Sequence, residues 1–214
     1  MKYVGNIMKT KEQKKQEIKN KIVKAAKVYS KELSNRSFLY AYGDKCIEVV
    51  FPIYKFLHLT GVETNLSPIN FYQKAKSGKL TCDQFFFSAR HTYNAAKRKV
   101  SCLYRLNELT NKMVFILKNL KTNTFIYKLS VYDLEFTIGL NDYIDMKGNV
   151  HKDVLMPMTL RVEKSSIERS DGGEVVDAIF SKEFSKIDYS VINYIDKNKS
   201  ISINSISMLK KDII

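Results

Sequence analysis

C-I-E-V-V-F-P-I-Y-K-F-L-H-L-T-G, residues 46–61, is the stretch from which the rest of the chain is read. It opens as a short β run in which Ile47, Val49, Val50 and Phe51 are apolar and Glu48 lies between them. Pro52 has no N–H to give a sheet ladder, so the strand ends or reaches an edge there. Beyond it, Tyr54, Phe56, Leu57 and Leu59 surround a single titratable ring, His58, just before Thr60 and Gly61. Two readings of that ring stand side by side. One is a core histidine hydrogen-bonded to a nearby carbonyl. The other is an imidazole held in a shaped pocket, the side chain whose ordinary pKa suits proton transfer near neutrality.

Upstream, residues 38–42 and 46–51 are apolar runs separated by Gly43-Asp44, which reads as a hairpin. Ile18, Ile22, Ala25, Ala26, Tyr29 and Leu33 recur at steps of three and four, so a helix is predicted from Thr10, its cap, to Leu33. Its apolar stripe should dock on the body while the lysines face water. Downstream, Ser67 as cap, Pro68 at the first position and Gly78 at the end mark a short helix. Residues 80–87 are ambiguous, with a short helical turn led by Thr81 as one reading. A further helix is predicted over 92–109. Strands follow at 113–117, 125–129, 134–140, 158–162 and 175–180. Turns are predicted at 118–123, at 141–149 and at Asp171-Gly172-Gly173. In the tail, 201–207 has β character and 208–214 helical character, and neither pattern places it.

The chain has 214 residues, 44% hydrophobic and 27% charged, which fits one globular domain with attached segments. No apolar run approaches the ~20 residues of a membrane span, and the N-terminus lacks the apolar stretch of a signal peptide. A cytoplasmic protein with no membrane association is therefore expected. Cys46, Cys82 and Cys102 are odd in number and lack C-x-x-C spacing, which fits free thiols in a reducing compartment. His58, His91 and His151 are scattered, so no metal site is indicated, and no motif calls for a small-molecule cofactor.

Lys+Arg 36 against Asp+Glu 22 leaves a net charge of +14. That excess favours polyanions, nucleic acid first. Residues 1–36 hold eleven basic and three acidic side chains. Lys11, Lys14, Lys15 and Lys19 are the candidate phosphate contacts there, with a solvated face as the alternative.

Six segments carry a family resemblance: I-E-V-V-F (47–51), F-L-H-L-T-G (56–61), S-P-I-N-F-Y-Q-K (67–74), K-L-T-C-D-Q-F (79–85), V-S-C-L-Y-R-L-N-E-L (100–109) and D-A-I-F-S-K-E (177–183). Over about two-thirds of its length the chain resembles the phage-associated nuclease domains grouped with barnase, EndoU, colicin E5/D and RelE, in particular their fourth phage-type subgroup. The resemblance implies an α+β fold with helices on one side of a twisted antiparallel sheet, RNA as partner, and metal-free cleavage in a concave sheet face. It also implies a phage, mobile-element, toxin or antiviral-defence setting, with an antitoxin or phage protein as a further partner. It divides the chain into a basic amphipathic helix (1–36), a nuclease domain (37–188) and a tail of uncertain structure (189–214).

Metal-free RNA cleavage needs a base for the 2′-hydroxyl, an acid for the leaving 5′-oxygen and cations for the phosphorane. His58 is the candidate base or acid. Thr60 either contacts phosphate, orients the ring or simply forms the turn. By strand alternation Arg161 faces away from Leu160 and Val162, towards phosphate or solvent. Ser181 and Lys182 close the last strand and join the site through the family likeness. The resulting expectation is a metal-independent endoribonuclease. The alternative is a non-catalytic basic module that binds RNA or a phage protein.

Overall fold

Thr10 starts the first helix. Its hydroxyl accepts from the Gln13 N–H at 3.2 Å while the Gln13 side chain accepts from the Thr10 N–H at 2.9 Å, a reciprocal pair that satisfies two otherwise orphaned donors. Helix α1 runs Lys11–Val28 and closes in a π-helical turn, Tyr29–Leu33. Its stripe of Ile18, Ile22, Ala25 and Ala26 is fully buried against the body, as the spacing predicts. The computed structural model describes residues 9–121, 126–132, 136–162 and 171–199. Residues 200–214, including both expected tail elements, lie outside these, as do 122–125 and 133–135.

The predicted hairpin forms from β1 (Arg36–Tyr42) and β2 (Lys45–Val50), turning at Gly43. Pro52 stops β2, and a 3-10 turn, Ile53–Lys55, leads into a one-turn helix, α2 (Phe56–Thr60). Helix α3 (Pro68–Lys76) is capped by the Ser67 hydroxyl, which accepts from the Asn70 N–H at 3.3 Å. The ambiguous segment forms a 3-10 turn, Cys82–Gln84, capped by Thr81. Thr92 caps α4, which ends at Leu103 and not at 109. The chain re-aims there into a 3-10 segment, Leu106–Thr110, which buries Leu106 and Leu109 and offers the Leu109 carbonyl to the Tyr40 hydroxyl at 3.1 Å.

Among the described residues nine strands form one sheet. The remaining strands are β3 (Phe115–Lys121), β4 (Ile126–Tyr132), β5 (Thr137–Ile144), β6 (Val150–Arg161), β7 (Asp171–Val175), β8 (Ala178–Glu183) and β9 (Val191–Ile195). Their order is β7-β3-β4-β5-β6-β2-β1-β8-β9. Every pairing is antiparallel except β2 with β6, where Glu48 and Val49 face Val154 and Leu155 in parallel.

Four expectations are corrected. The turn expected over 118–123 is strand as far as Lys121, where β3 pairs with β4. Asp171-Gly172-Gly173 is not a turn: it lies in β7, pairing with β3 across a register shift. The strand expected over 175–180 breaks instead at 176–177, because the Val176 N–H crosses to the Val114 carbonyl at 2.9 Å and that of Asp177 to Ala41 at 2.8 Å. The turn expected over 141–149 shrinks to 145–149, where the Asp145 carboxylate accepts from the Lys147 and Asn149 N–H groups at 2.8 and 2.9 Å. The polar residues after it extend β6 back to Val150.

The helices pack on one face. Phe38, Tyr40 and Tyr42 of β1, Ile138 and Leu140 of β5, and Leu155 and Leu160 of β6 form one cluster with the helix stripes. Leu39, Ala178 and Phe180 point the other way and are covered by Tyr189, the alternation a strand imposes. The fold is α+β, with helices on one side of a mostly antiparallel sheet. Among the described residues, no helix is long and apolar enough to cross a membrane.

Candidate active site

Helix α2 is anchored from below. Phe56 is fully buried, with its ring 5.2 Å from that of Tyr29 and 5.3 Å from that of Tyr72, both edge-on. The Tyr29 hydroxyl donates to the Pro52 carbonyl at 3.0 Å, which fixes where the chain leaves β2. Thr60 is fully buried. Its hydroxyl donates to the Leu57 carbonyl at 2.7 Å and accepts from the Val62 N–H at 3.3 Å, so it closes the helix and faces no ligand. Gly61 follows at φ 73, a left-handed conformation that suits glycine.

On this frame His58 faces outward. It is exposed, and among the described residues neither ring nitrogen has a hydrogen-bond partner. The alternative of a core histidine tied to a carbonyl does not describe it. Its pKa is nevertheless lowered, first by partial desolvation and then by the positive charges of Lys55 and Lys99 and by His91. Burial also lowers the pKa of Lys55, three residues before His58 and so on the same side of the helical segment.

Beside His58 lies a basic pocket of about 180 Å³ at the junction of α2, α4 and the end of β6. Arg90, His91, Arg98, Lys99 and Arg161 line it with Gly61. The Arg161 Nε is buried without a hydrogen-bond partner among the described residues. Glu63 is the acid nearby, 3.9 Å from His91 Nε2 and accepting from the Ser88 hydroxyl at 2.5 Å. Such a concentration of cations around an imidazole suits a phosphodiester: the cations hold the anion and the ring moves a proton.

Ser181 and Lys182 do not join this pocket. Ser181 is buried opposite Phe38 in the strand register. Lys182 points to the other face of the sheet, where its ammonium donates to the Ile187 carbonyl at 3.2 Å, sits 3.9 Å from Glu48 and lies over the Tyr189 ring at 4.8 Å. Ser37 completes that cluster, donating to Glu48 and hydrogen-bonded to the Tyr189 hydroxyl at 3.0 Å. Of the basic residues on α1, Lys15 donates to the Cys82 carbonyl at 2.8 Å and Lys14 lies over the Tyr93 ring at 5.4 Å. Lys11 is exposed and Lys19 half-buried.

Residues 21–198 match the model of the phage-Barnase-EndoU-ColicinE5/D-RelE like nuclease4 family. The chain belongs to that family. No curated protein and no solved structure matches it. Membership in this phage-associated nuclease family makes nucleic acid the expected substrate.

Sequence reasoning missed Lys55, Lys99, His91 and the arginines at 90 and 98. Lys55 carries a readable signal, its three-residue spacing from His58. Arg90-His91 lie in the loop just ahead of the Thr92 cap and Arg98-Lys99 within α4, and the pocket brings the two pairs together. Nothing local says that they meet His58.

Proposed function

We propose that this nuclease is a metal-independent endoribonuclease, with His58 as general base and the basic pocket as the seat of the scissile phosphate. One observation carries the reading: an exposed imidazole without a hydrogen-bond partner among the described residues, its pKa lowered by partial desolvation and then by nearby cations, beside a pocket lined by arginines and Lys99. A neutral ring accepts a proton at neutral pH. In the proposed reaction His58 takes the proton of the 2′-hydroxyl and that oxygen attacks the adjacent phosphorus. The P–O5′ bond breaks to leave a 2′,3′-cyclic phosphate. Lys55, whose lowered pKa makes it a better proton donor, protonates the departing 5′-oxygen. Arg161 and Lys99 hold the equatorial phosphorane oxygens. Thr60 positions His58 by closing its helix, and no step is assigned to Ser181 or Lys182.

Imidazole and cations supply here what a metal-bound water would otherwise provide, so the reaction should run in EDTA. The setting we propose is an RNA-cleaving effector of a phage or mobile element, paired with an inhibitor or phage protein. The test is incubation of the purified protein with total RNA in EDTA, followed by sequencing and end-group analysis. Cyclic phosphate ends support the reading. Intact RNA that is nonetheless bound would assign the net charge of +14 to a binding module instead.

A further inference from the structure

A second cavity, of about 240 Å³, opens where Pro52 ends β2, at the start of the segment that leads to His58. Its walls include the rings of Tyr54, Tyr143 and Phe184, with Asn35 and Arg36 at one rim and Met146 at the mouth. The rings are held in place. The Tyr54 hydroxyl donates to the Ile144 carbonyl. Tyr143 meets Phe184 edge-on at 6.2 Å and is backed by His151, stacked at 5.1 Å. Even so, Phe184 is 52% and Met146 79% exposed, an apolar surface left open to solvent.

The rim is polar and unused. Among the described residues neither the Arg36 guanidinium nor the Asn35 side-chain amide has a hydrogen-bond or ion-pair partner. Asn35 is held at φ 63, the one residue other than glycine with positive φ among the described residues, a conformation that costs energy and gathers at functional positions. Lys55 links the two sites. Its ammonium lies 5.7 Å from the Tyr54 ring centroid, and its charge is felt at His58. A cavity with aromatic walls, a free guanidinium and a free amide is therefore joined to the proposed catalytic ring through a cation.

We infer that this cavity takes one unstacked nucleobase of the RNA strand, its ring among Tyr54, Tyr143 and Phe184 and its edge hydrogen-bonded by Arg36 and Asn35. Single-stranded bases are held by aromatic stacking of this kind, with polar groups reading the edge. A peptide side chain would fill the apolar part but leave the guanidinium and amide unmatched. The inference rests on the proposed RNA-cleaving function and adds a base subsite away from the pocket proposed for the scissile phosphate, six residues along β5 from the Thr137–Arg161 pair to the Tyr143–His151 pair.

The test uses the full chain and a short 2′-O-methyl RNA, which cannot undergo 2′-hydroxyl attack, with a single abasic position moved along the strand. One abasic position should weaken binding by roughly tenfold, the usual worth of one base–aromatic stack. Phe184→Ala, at an exposed position, should cause a similar loss, and the two together no more than either alone. Phe184→Trp should restore it. Additive losses, or Phe184→Ala binding RNA as tightly as the natural chain, would overturn the inference and give the cavity to another occupant, such as an apolar side chain of a partner protein. Natural RNA cleaved by Phe184→Ala at the natural rate, but not by His58→Ala, sinks the base subsite alone. A chain that neither binds nor cleaves RNA sinks both readings.

Discussion

Gly61 and Lys99 are packed so closely that a β-carbon on Gly61 would fall 2.8 Å from Lys99 Cδ, and 3.4 Å from the Cα of Ala96. This contact seats the end of α2 on α4 and brings Lys99 close enough to depress the His58 pKa. The H-L-T-G motif thus has a division of labour. His58 faces out, Leu59 enters the core, Thr60 closes the helix, and Gly61 lets a second helix approach.

Gly61→Ala should therefore act twice. The left-handed backbone alone costs about 1–2 kcal/mol with a β-carbon present, and Lys99 must shift away. Thermal melts should show that loss, and cleavage should fall further than the unfolded fraction explains. Equal losses in both would mean that Lys99 has no part at the phosphate.

The frame beneath His58 is tested at Tyr29. Tyr29→Phe leaves the Pro52 carbonyl without its donor and should cost about 1–3 kcal/mol. Tyr29→Ala also opens a cavity against Phe51, Phe56 and Tyr72 and should cost about 3–5 kcal/mol. Denaturant titrations measure both. Near-equal values would mean that the aromatic cluster relaxes around the hole.

Acid should loosen two anchors. The Glu17 carboxyl is held at about 2 against its ordinary 4.5, first by the Lys9 ammonium and also by the Tyr93 hydroxyl. Glu108 is also held at about 2, first by Arg105 and then by Lys112. Both groups are depressed in the folded state, so their stabilisation is present above pH 4.5 and is lost as pH falls towards 2. Melts over that window should show a steeper loss for the natural chain than for Glu17→Gln. Parallel curves would remove Glu17 from the account.

The pH–rate profile should carry the mark of the cations around His58. Its acid limb should lie below the ordinary 6.5, because the imidazolium is disfavoured there. Lys55→Gln removes one of those charges, so the pKa rises and the limb moves to higher pH, whatever happens to the maximal rate. An unmoved limb would separate Lys55 from His58.

Much of the fold is legible in the sequence because its signals are local. Thr10, Ser67 and Thr92 are capping residues ahead of apolar spacing, Pro52 removes a ladder donor, and Gly43 sits at the hairpin turn. The misses come where distant partners decide. Gly172 and Gly173 look like a turn until β3 pairs with Asp171 and Glu174 on either side of them, and Val176 looks like mid-strand until Val114 takes its N–H. The site divides in the same way. His58 stands out by its neighbours, whereas Lys99 comes near it through the helix contact at Gly61 and His91 from the loop ahead of α4. Adjacent strand residues point to opposite faces, so alternation alone rules out Ser181 and Lys182 sharing one cleft.

The basic helix is tested by salt. Lys11 is exposed and Lys19 half-buried, while Lys14 and Lys15 are engaged with Tyr93 and Cys82. Lys11→Gln with Lys19→Gln should flatten the salt dependence of RNA binding by about one to two released counterions. Lys14→Gln with Lys15→Gln should mainly lower the melting temperature. An unchanged salt slope in the first pair would leave those lysines a role in solubility alone.

The most direct measurement is the cleavage rate of His58→Ala on RNA in EDTA, with a thermal melt of the same sample. His58 is exposed and has no hydrogen-bond partner among the described residues, so the melt should match that of the natural chain. The rate should fall roughly a hundredfold or more, the usual worth of a positioned general base. A variant that cleaves at the natural rate, or one that loses rate only in proportion to lost stability, would contradict the assignment of His58 as the base.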